Sequence, residues 1–447
     1  MKKFLFVLLF FLAISSCSFF KPKIPPYPTG LLFPLEEDSR IIYPGEIINS
    51  IQKKEGKIFF STEKGYIFCF DTAKKEILWR LEIAHPLSSP SSLGLENIYI
   101  FDRSSTIYCL DLDGNLAWEK KMEEKISSQI RESQKRIYLG TEEGGFFALS
   151  ASSGEEIWRF RAGGPIKTSP VFFENKIIFG CDDGKFYFLD QMGRLVHKFE
   201  AGSAIQVDPL LEGDRLYFSS ADNTFCCLDL TKRKKKWKVQ TGGITFASPL
   251  VWKERIFFLG SNAVLYCLNK RSGEILWWRT IPSRSLYSLE IAGERILASS
   301  LSAVLVCFDI KTGEEVGRYW ASQEIKSNPL WLSPYLLINL YDFEKEEGSL
   351  VFLKKEIKVL LSAAKLSPQV VGEEIGFQAS AVGFYRPRYE FYLKIGDKRE
   401  VVQKESEKSS WIWYPEKDGS FTVGVKVVDE KEMAEAEISF EIIKDYP

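Results

Sequence analysis

The chain has 447 residues, a formal net charge of −1 and only two histidines, His85 and His197. The balanced charge gives no overall attraction to nucleic acid, and two histidines are too few for the usual His-rich zinc sites or His-based catalysis. Aromatic residues make up 14% of the chain, and this composition favours β-strands and predicts an all-β protein.

The chain begins with the features of a lipoprotein signal peptide. Two lysines precede an apolar run that ends at Ile14 and is too short to span a bilayer. The following Ser-Ser-Cys17 resembles the end of the lipobox of bacterial lipoproteins. The resemblance implies removal of residues 1–16 and lipidation of Cys17; ordinary cleavage beside an incidental cysteine is the alternative. Residues 17–30 contain four prolines and are predicted to form a semi-extended tether.

Residues 31–361 carry a repeat with a period of about 40 residues. One column of the repeat advances by 39 or 40 residues at each step and reads Trp79, Trp118, Trp158, His197, Trp237, Trp277 and Gly317. A second column lies four residues earlier and contains Gly114, Gly154, Gly193, Gly273 and Gly313. Such a period is typical of a β-propeller in which each unit is a four-stranded blade.

The number of blades depends on the end of the repeat region. Pro329 begins a further unit that has lost its Trp and Gly but keeps its apolar strands up to residues 357–360. We therefore predict eight blades, with seven as the alternative, and expect residues 39–43 to complete the last one.

The repeat resembles that of a known family. Residues 148–160, ALSASSGEEIWRF, look like the tryptophan-docking repeat of the pyrroloquinoline-quinone dehydrogenase family, which also occurs in non-enzymatic lipoproteins of the outer-membrane assembly factor BamB type. The resemblance covers residues 46–361 and implies a propeller of the quinoprotein-like type, without specifying an activity. An indole in an outer strand can pack on the next blade and donate its N–H across, so we interpret these residues as structural: Trp79, Trp118, Trp158, Trp237 and Trp277.

We expect no catalytic residue, no cofactor and no metal site. The resemblance to the dehydrogenases implies a quinone, a calcium ion and a base, and no motif for that set is found. Cys226 and Cys227 could form a vicinal disulfide over a quinone, but a repeat column favours buried free thiols instead: Cys69, Cys109, Cys227, Cys267 and Cys307. We interpret His85 and His197 as isolated structural residues.

A basic run lies in the fifth unit and consists of Lys232, Arg233, Lys234, Lys235 and Lys236. It is either a solvated hairpin or a contact for an anionic polymer or a lipid headgroup.

After residue 361 the repeat stops. We predict a linker over residues 362–368 and an immunoglobulin-like β-sandwich over residues 369–447, because short alternating strands are separated there by turn signals. The stretch 419–429 resembles the last strands of polycystic-kidney-type extracellular modules. Trp411 and Trp413 could stack on a carbohydrate or cover the sandwich core.

Together these features predict a membrane-anchored, extracytoplasmic scaffold that binds envelope or outer-membrane proteins, as in envelope protein assembly, and that is not an enzyme. Two alternatives remain open: a quinone-dependent dehydrogenase, and a binder of envelope glycans or other polymers. The sequence does not decide whether the host has an outer membrane. The expected location is therefore the outer membrane and periplasm, or else the outer face of the plasma membrane.

Overall fold

A computed structural model describes residues 33–48, 51–83 and 85–444. Every regular element in these ranges is a β-strand, so the prediction of an all-β protein is confirmed. The predicted signal peptide, the lipidation site Cys17 and the tether lie outside the described residues. Within the described ranges, no helix is long and apolar enough to cross a membrane.

The first strand, β1 (Leu35–Pro44), pairs with a strand near the end of the repeat region and not with the strands that come next in the chain. Those strands form seven four-stranded antiparallel sheets, numbered here sheet 1 to sheet 7 in chain order. Sheet 1 comprises β2 (Gln52–Lys54), β3 (Lys57–Ser61), β4 (Tyr66–Asp71) and β5 (Glu76–Glu82). Sheet 2 comprises β6 (Ser92–Leu93), β7 (Asn97–Phe101), β8 (Thr106–Asp111) and β9 (Leu116–Lys121). Sheet 3 comprises β10 (Arg131–Ser133), β11 (Arg136–Gly140), β12 (Gly145–Ser150) and β13 (Glu156–Arg161). Sheet 4 comprises β14 (Val171–Phe173), β15 (Lys176–Gly180), β16 (Lys185–Leu189) and β17 (Leu195–Glu200).

Sheets 5 to 7 repeat this pattern, in which each strand pairs with its neighbour in sequence. Sheet 5 comprises β18 (Leu210–Glu212), β19 (Arg215–Ser220), β20 (Thr224–Asp229) and β21 (Lys234–Gln240). Sheet 6 comprises β22 (Leu250–Trp252), β23 (Arg255–Leu259), β24 (Val264–Asn269) and β25 (Ile275–Thr280). Sheet 7 comprises β26 (Glu290–Ala292), β27 (Arg295–Ser300), β28 (Val304–Asp309) and β29 (Glu315–Trp320).

Sheet 8 is built from both ends of the repeat region. Its strands are β30 (Glu324–Ile325), β31 (Leu330–Leu332), β32 (Tyr335–Asp342), β33 (Glu347–Lys355) and β1. Strand β1 runs antiparallel to β33, with Leu35 opposite Lys355 and Pro44 opposite Glu347. Residues 39–43, which we expected to complete the last unit, lie within this strand.

The eight sheets form a closed ring because each packs against the next through its own apolar cluster. Seven clusters join consecutive sheets from sheet 1 to sheet 8. An eighth joins sheet 8 to sheet 1 and includes Tyr43, Phe60, Leu337 and Phe352. The middle strands of each sheet are therefore covered on both faces, which explains why they are almost wholly apolar.

The C-terminal residues form two further sheets around one core. The three-stranded sheet contains β34 (Lys358–Ala363), β36 (Ile375–Val382) and β39 (Ser410–Trp413). The five-stranded sheet contains β35 (Gln369–Val370), β37 (Arg388–Ile395), β38 (Lys398–Ser406), β40 (Gly419–Val428) and β41 (Met433–Ile443). Phe377, Phe391, Trp413 and Val425 lie in the core between them. In chain order, the two sheets follow directly on β33.

Two strands of this region differ from the sequence prediction. Residues 357–360 were expected to end the eighth repeat unit, but β34 pairs with β36 in the C-terminal sheet. The reason is that β1 already occupies the position beside β33, so the predicted boundary at residues 361/362 falls inside a strand. Strand β38 was not predicted, because its sequence KREVVQKES is mostly charged and it lies as an exposed edge.

Candidate functional site

Five tryptophans join neighbouring sheets by one repeated contact. In sheets 1, 2, 3, 5 and 6 the indole N–H donates to a backbone carbonyl that lies 33 residues later, in the next sheet. The N···O distances are 3.1 Å for Trp79 to Leu112, 3.0 Å for Trp118 to Ala151, 3.1 Å for Trp158 to Gln191, 3.1 Å for Trp237 to Lys270 and 3.2 Å for Trp277 to Ile310.

The glycine column forms the other half of this contact. Gly193 lies in the turn of sheet 4 with a φ of +75°, and a Cβ there would come within 2.6 Å of the Trp158 ring. Only glycine combines this backbone conformation with such a close approach. The same indole contact is made by Gly114, Gly154, Gly273 and Gly313.

At sheet 7 the tryptophan position is occupied by Gly317, and the phenyl ring of Phe33, which is not part of the repeat, lies in the space of the missing indole. A Cβ on Gly317 would come within 2.3 Å of the Phe33 ring. Because Phe33 lies just before β1, the segment that completes sheet 8 also covers the gap left in sheet 7.

At sheet 4 the tryptophan position is occupied by His197, and among the residues that the structure describes no other ring takes the place of the indole. The imidazole lies 5.4 Å from the ring centroid of Phe188, beside a cavity of about 110 Å³. The turn of sheet 5 carries Arg233 in place of glycine, with a φ of +51°. Loss of the indole therefore coincides with loss of the glycine on which it would pack.

The centre of the ring holds a larger cavity of about 590 Å³. The segments that lead into the first strand of each sheet supply its lining. Sheets 5 to 7 supply most of its apolar side chains, Val207, Phe246, Ala247, Leu286 and Tyr287, together with polar residues such as Asp208 and Ser248. On the side of sheets 2 and 3 the lining is polar and includes Ser88, Ser127, Ser128 and Gln129.

The charged groups of this central cavity are paired. Asp208 accepts a hydrogen bond from the backbone N–H of Ser169 at 2.6 Å and lies 3.6 Å from Arg131. Lys167 donates to Asp182 at 2.8 Å, and this hydrogen bond raises the pKa of Lys167. The cavity therefore offers mainly hydroxyl, amide and apolar contacts.

This lining does not fit the calcium-bound quinone that the dehydrogenase resemblance implies. Calcium takes six to eight oxygen ligands and favours several carboxylates. The lining includes one carboxylate, Asp208, and Arg131 faces it with a positive charge. In the part of the chain that the structure describes, no group of three His, Cys, Asp or Glu residues is placed to hold a metal ion.

The cysteines lie in apolar interfaces. Cys226 and Cys227 are free, buried, and packed in the clusters on opposite sides of sheet 5, so the vicinal-disulfide hypothesis is wrong. Burial raises the pKa of Cys109 and Cys227 to about 12 and that of Cys69 to about 11. These thiols are therefore protonated at neutral pH and poor nucleophiles.

The other singled-out residues are dispersed. His85 is exposed and far in sequence from His197. Trp411 and Trp413 stack with each other at 6.3 Å; Trp413 is buried in the sandwich core and Trp411 is partly buried against it, which favours the core-covering interpretation of this pair. The basic run lies in the turn between β20 and β21 and at the start of β21.

Sequence reasoning missed Phe33 and the polar side of the central cavity. Phe33 lies outside the repeat period, and the only signal for it was the missing indole at Gly317. The cavity lining could have been found from the repeat, since a hydroxyl or amide residue directly precedes Pro90, Pro249 and Pro329.

Comparison with known proteins places these features in a family. The sequence profile of the family described as outer membrane protein assembly factor BamB matches residues 103–202 and 182–338. No curated protein sequence matches the chain.

Solved structures with the same architecture include three of different origin. BamB from Moraxella catarrhalis is 15% identical, with a TM-score of 0.62 over 72% of this chain and 98% of that one. The computationally designed Ika8 protein is 11% identical, with a TM-score of 0.60 over 69% and 97%. Quinohemoprotein alcohol dehydrogenase from Comamonas testosteroni is 11% identical, with a TM-score of 0.57 over 72% and 77%. At these identities the likeness shows the fold alone, and with the family match it confirms a β-propeller of the pyrroloquinoline-quinone type.

Proposed function

The chain belongs to the family described as outer membrane protein assembly factor BamB, and from this premise we propose that it is a membrane-anchored scaffold that binds protein partners during outer-membrane or envelope protein assembly. The observation that carries the proposal is the family match, which spans residues 103–338 and so covers more than half of the chain.

The geometry of the ring supports a binding role. The repeated tryptophans are used to join sheets, and the central cavity offers one carboxylate opposed by Arg131 rather than a calcium site. The likeness to a quinohemoprotein dehydrogenase extends to the fold alone, so we do not transfer its activity to this chain.

The proposal includes the location of the protein. We propose that residues 1–16 are a signal peptide, that Cys17 is lipidated, and that residues 17–30 tether the ring to the membrane on its extracytoplasmic side. Several acyl chains on one residue give a stable anchor, because affinity grows with each buried CH₂ group.

The proposal also includes the domain plan. We assign one blade to each of the eight sheets and regard the C-terminal sandwich as immunoglobulin-like. Its two sheets share a single core, and such a module can space the ring from other proteins or dock against them.

The test is affinity capture of the full-length lipidated chain from crosslinked membranes. We expect enrichment of envelope or outer-membrane proteins, and we expect the variant Cys17→Ala to leave the membrane fraction and to capture less. Capture of no envelope protein by the lipidated chain would contradict the scaffold role. Dye reduction that depends on an added alcohol or aldose, by the purified chain supplied with pyrroloquinoline quinone and calcium, would instead support the dehydrogenase.

A further inference from the structure

The cavity beside His197, called here the seat, lies where other junctions hold an aromatic ring, and none of the residues in the described ranges fills it. At five other junctions an indole fills the corresponding place between adjacent sheets. At the junction of sheets 4 and 5 the smaller imidazole leaves a cavity of about 110 Å³, walled by Phe173, Phe188 and Leu230. Its rim includes the exposed residues Val196 and Arg233, so it opens on the protein surface.

A second aromatic ring is also absent from this seat. Sheets 3 and 5 place Tyr138 and Tyr217 at the same register of their second strand, whereas sheet 4 has Ile178 there. At the junction of sheets 5 and 6, the Tyr217 hydroxyl donates to the Lys270 carbonyl at 3.2 Å. The indole N–H of Trp237 donates to the same oxygen. The seat can therefore take a phenol as well as an indole.

The hydrogen-bond acceptor of the seat is available. By the 33-residue spacing of the other junctions, the acceptor at this junction is the carbonyl of Leu230, and Leu230 lines the cavity. Among the residues that the structure describes, no donor is paired with this carbonyl oxygen. The seat thus combines the apolar side chains of Phe173, Phe188 and Leu230 with the Leu230 carbonyl, and polar residues including Thr231 and the Glu174–Lys176 pair complete its lining. Such a lining complements an aromatic ring that carries an O–H or N–H group.

The size of the cavity favours a single six-membered ring. An enclosed apolar cavity of about 150 Å³ can bind benzene, and the present cavity is somewhat smaller but open on one side. Arg233 adds a side chain where the five turns that contact an indole have glycine, so a bicyclic indole would lie less deeply here than at those junctions. The fitting side chain is that of tyrosine.

The surroundings of the seat indicate how such a ring would be presented. Met192, Leu195 and Val196 are 65%, 44% and 45% exposed and lie in the preceding turn and on β17, the strand that carries His197. Arg233 lines the other side, and Lys232 and Lys234 flank it in sequence. The one carboxylate of the lining, Glu174, is paired with Lys176 at 2.5 Å, so the basic charge of Arg233 is left unmatched by the lining. This surface complements a tyrosine flanked by apolar and acidic residues.

We propose that the cavity between sheets 4 and 5 binds a tyrosine side chain from an acidic segment of a partner protein. The aromatic-binding property belongs to the cavity itself, whereas the assignment of its source to a partner rests on the proposed scaffold function.

The cavity is tested with p-cresol, which is the tyrosine side chain as a free molecule, on the full-length chain. His85 and His197 are the only histidines, so selective histidine labelling gives two ring signals in NMR spectra. We expect p-cresol to shift the His197 signal in a saturable manner without moving that of exposed His85. Toluene, which lacks the donor, should bind several-fold more weakly. A His197 signal that does not move, or that moves together with His85, would overturn the proposal.

The source of the ring is tested by capture from crosslinked membranes. The double variant His197→Trp/Arg233→Gly should fill the cavity with an internal indole and lose more than half of the captured partner, while His85→Trp should capture as the natural chain does. Equal capture by all three would overturn the partner assignment and leave the scaffold role intact. Failure of the natural chain to capture any envelope protein would overturn the scaffold role, and the p-cresol titration would still decide the cavity.

Discussion

At the scale of single residues, the indole contact should contribute measurably to stability. Trp277 is 7% exposed and donates to Ile310, so Trp277→Phe keeps most of the packing but leaves the carbonyl without its donor. We expect a loss of about 1 kcal/mol in the free energy of unfolding, measured by chemical denaturation. The matched control is Trp320→Phe, because Trp320 is 68% exposed and should change little. Equal effects of the two substitutions would contradict the role of the indole.

The buried cysteines should make stability fall at alkaline pH. Burial holds the pKa of Cys109 and Cys181 at about 12, whereas an unfolded thiol ionises near pH ~8.5. Above that pH the unfolded chain binds fewer protons than the folded chain, so the free energy of unfolding decreases as pH rises towards 12.

The measurement is urea denaturation between pH 8 and 11, together with thiol labelling of the Cys17→Ala variant, which retains the seven described cysteines. We expect labelling at pH 8 to be far slower in the folded chain than in urea. Rapid labelling of the folded chain would show that the thiols are accessible.

At the scale of elements, β1 and Phe33, two residues before it, hold the ring closed. Phe33 is half-buried against Gly317, and its removal exposes the gap in sheet 7. We expect Phe33→Ala to lower the free energy of unfolding by about 2 kcal/mol, which is less than for a fully buried phenylalanine. Leu366→Ala is the control, since Leu366 is 88% exposed. A thermal midpoint of Phe33→Ala that matches this control would indicate that Phe33 does not support closure.

The period of the tryptophan and glycine columns was enough to predict the propeller, because each repeat unit has to present the same residues to its neighbour. It was not enough to place β34, since the choice between β33 and β36 as a partner depends on β1, which lies more than 300 positions earlier. Nor could it reveal the cavity beside His197, which exists because three changes coincide at one junction: an imidazole for an indole, Ile178 for tyrosine and Arg233 for glycine.

At the scale of the whole molecule, the ring and the sandwich have separate cores. The core that contains Trp413 includes no residue of the eight sheets. We expect Trp413→Ala to lower the unfolding midpoint of the sandwich, by about 3–5 kcal/mol in free energy, while the transition of the ring stays in place. In the same calorimetric scan, Trp277→Phe should lower the unfolding midpoint of the ring and leave that of the sandwich unchanged. A single transition that moves with both substitutions would show that the two parts unfold together.

The pairing of β1 with β33 has a consequence for biosynthesis. Leu35 meets Lys355, a partner 320 positions downstream, and contacts between such distant residues form slowly because a long loop must close first. Strand β1 is thus synthesised before the other described strands but is among the last to pair in its sheet. Throughout that interval the apolar faces of sheets 1 and 8 lack their covering, so we expect the partly folded chain to be prone to aggregation until β1 pairs with β33.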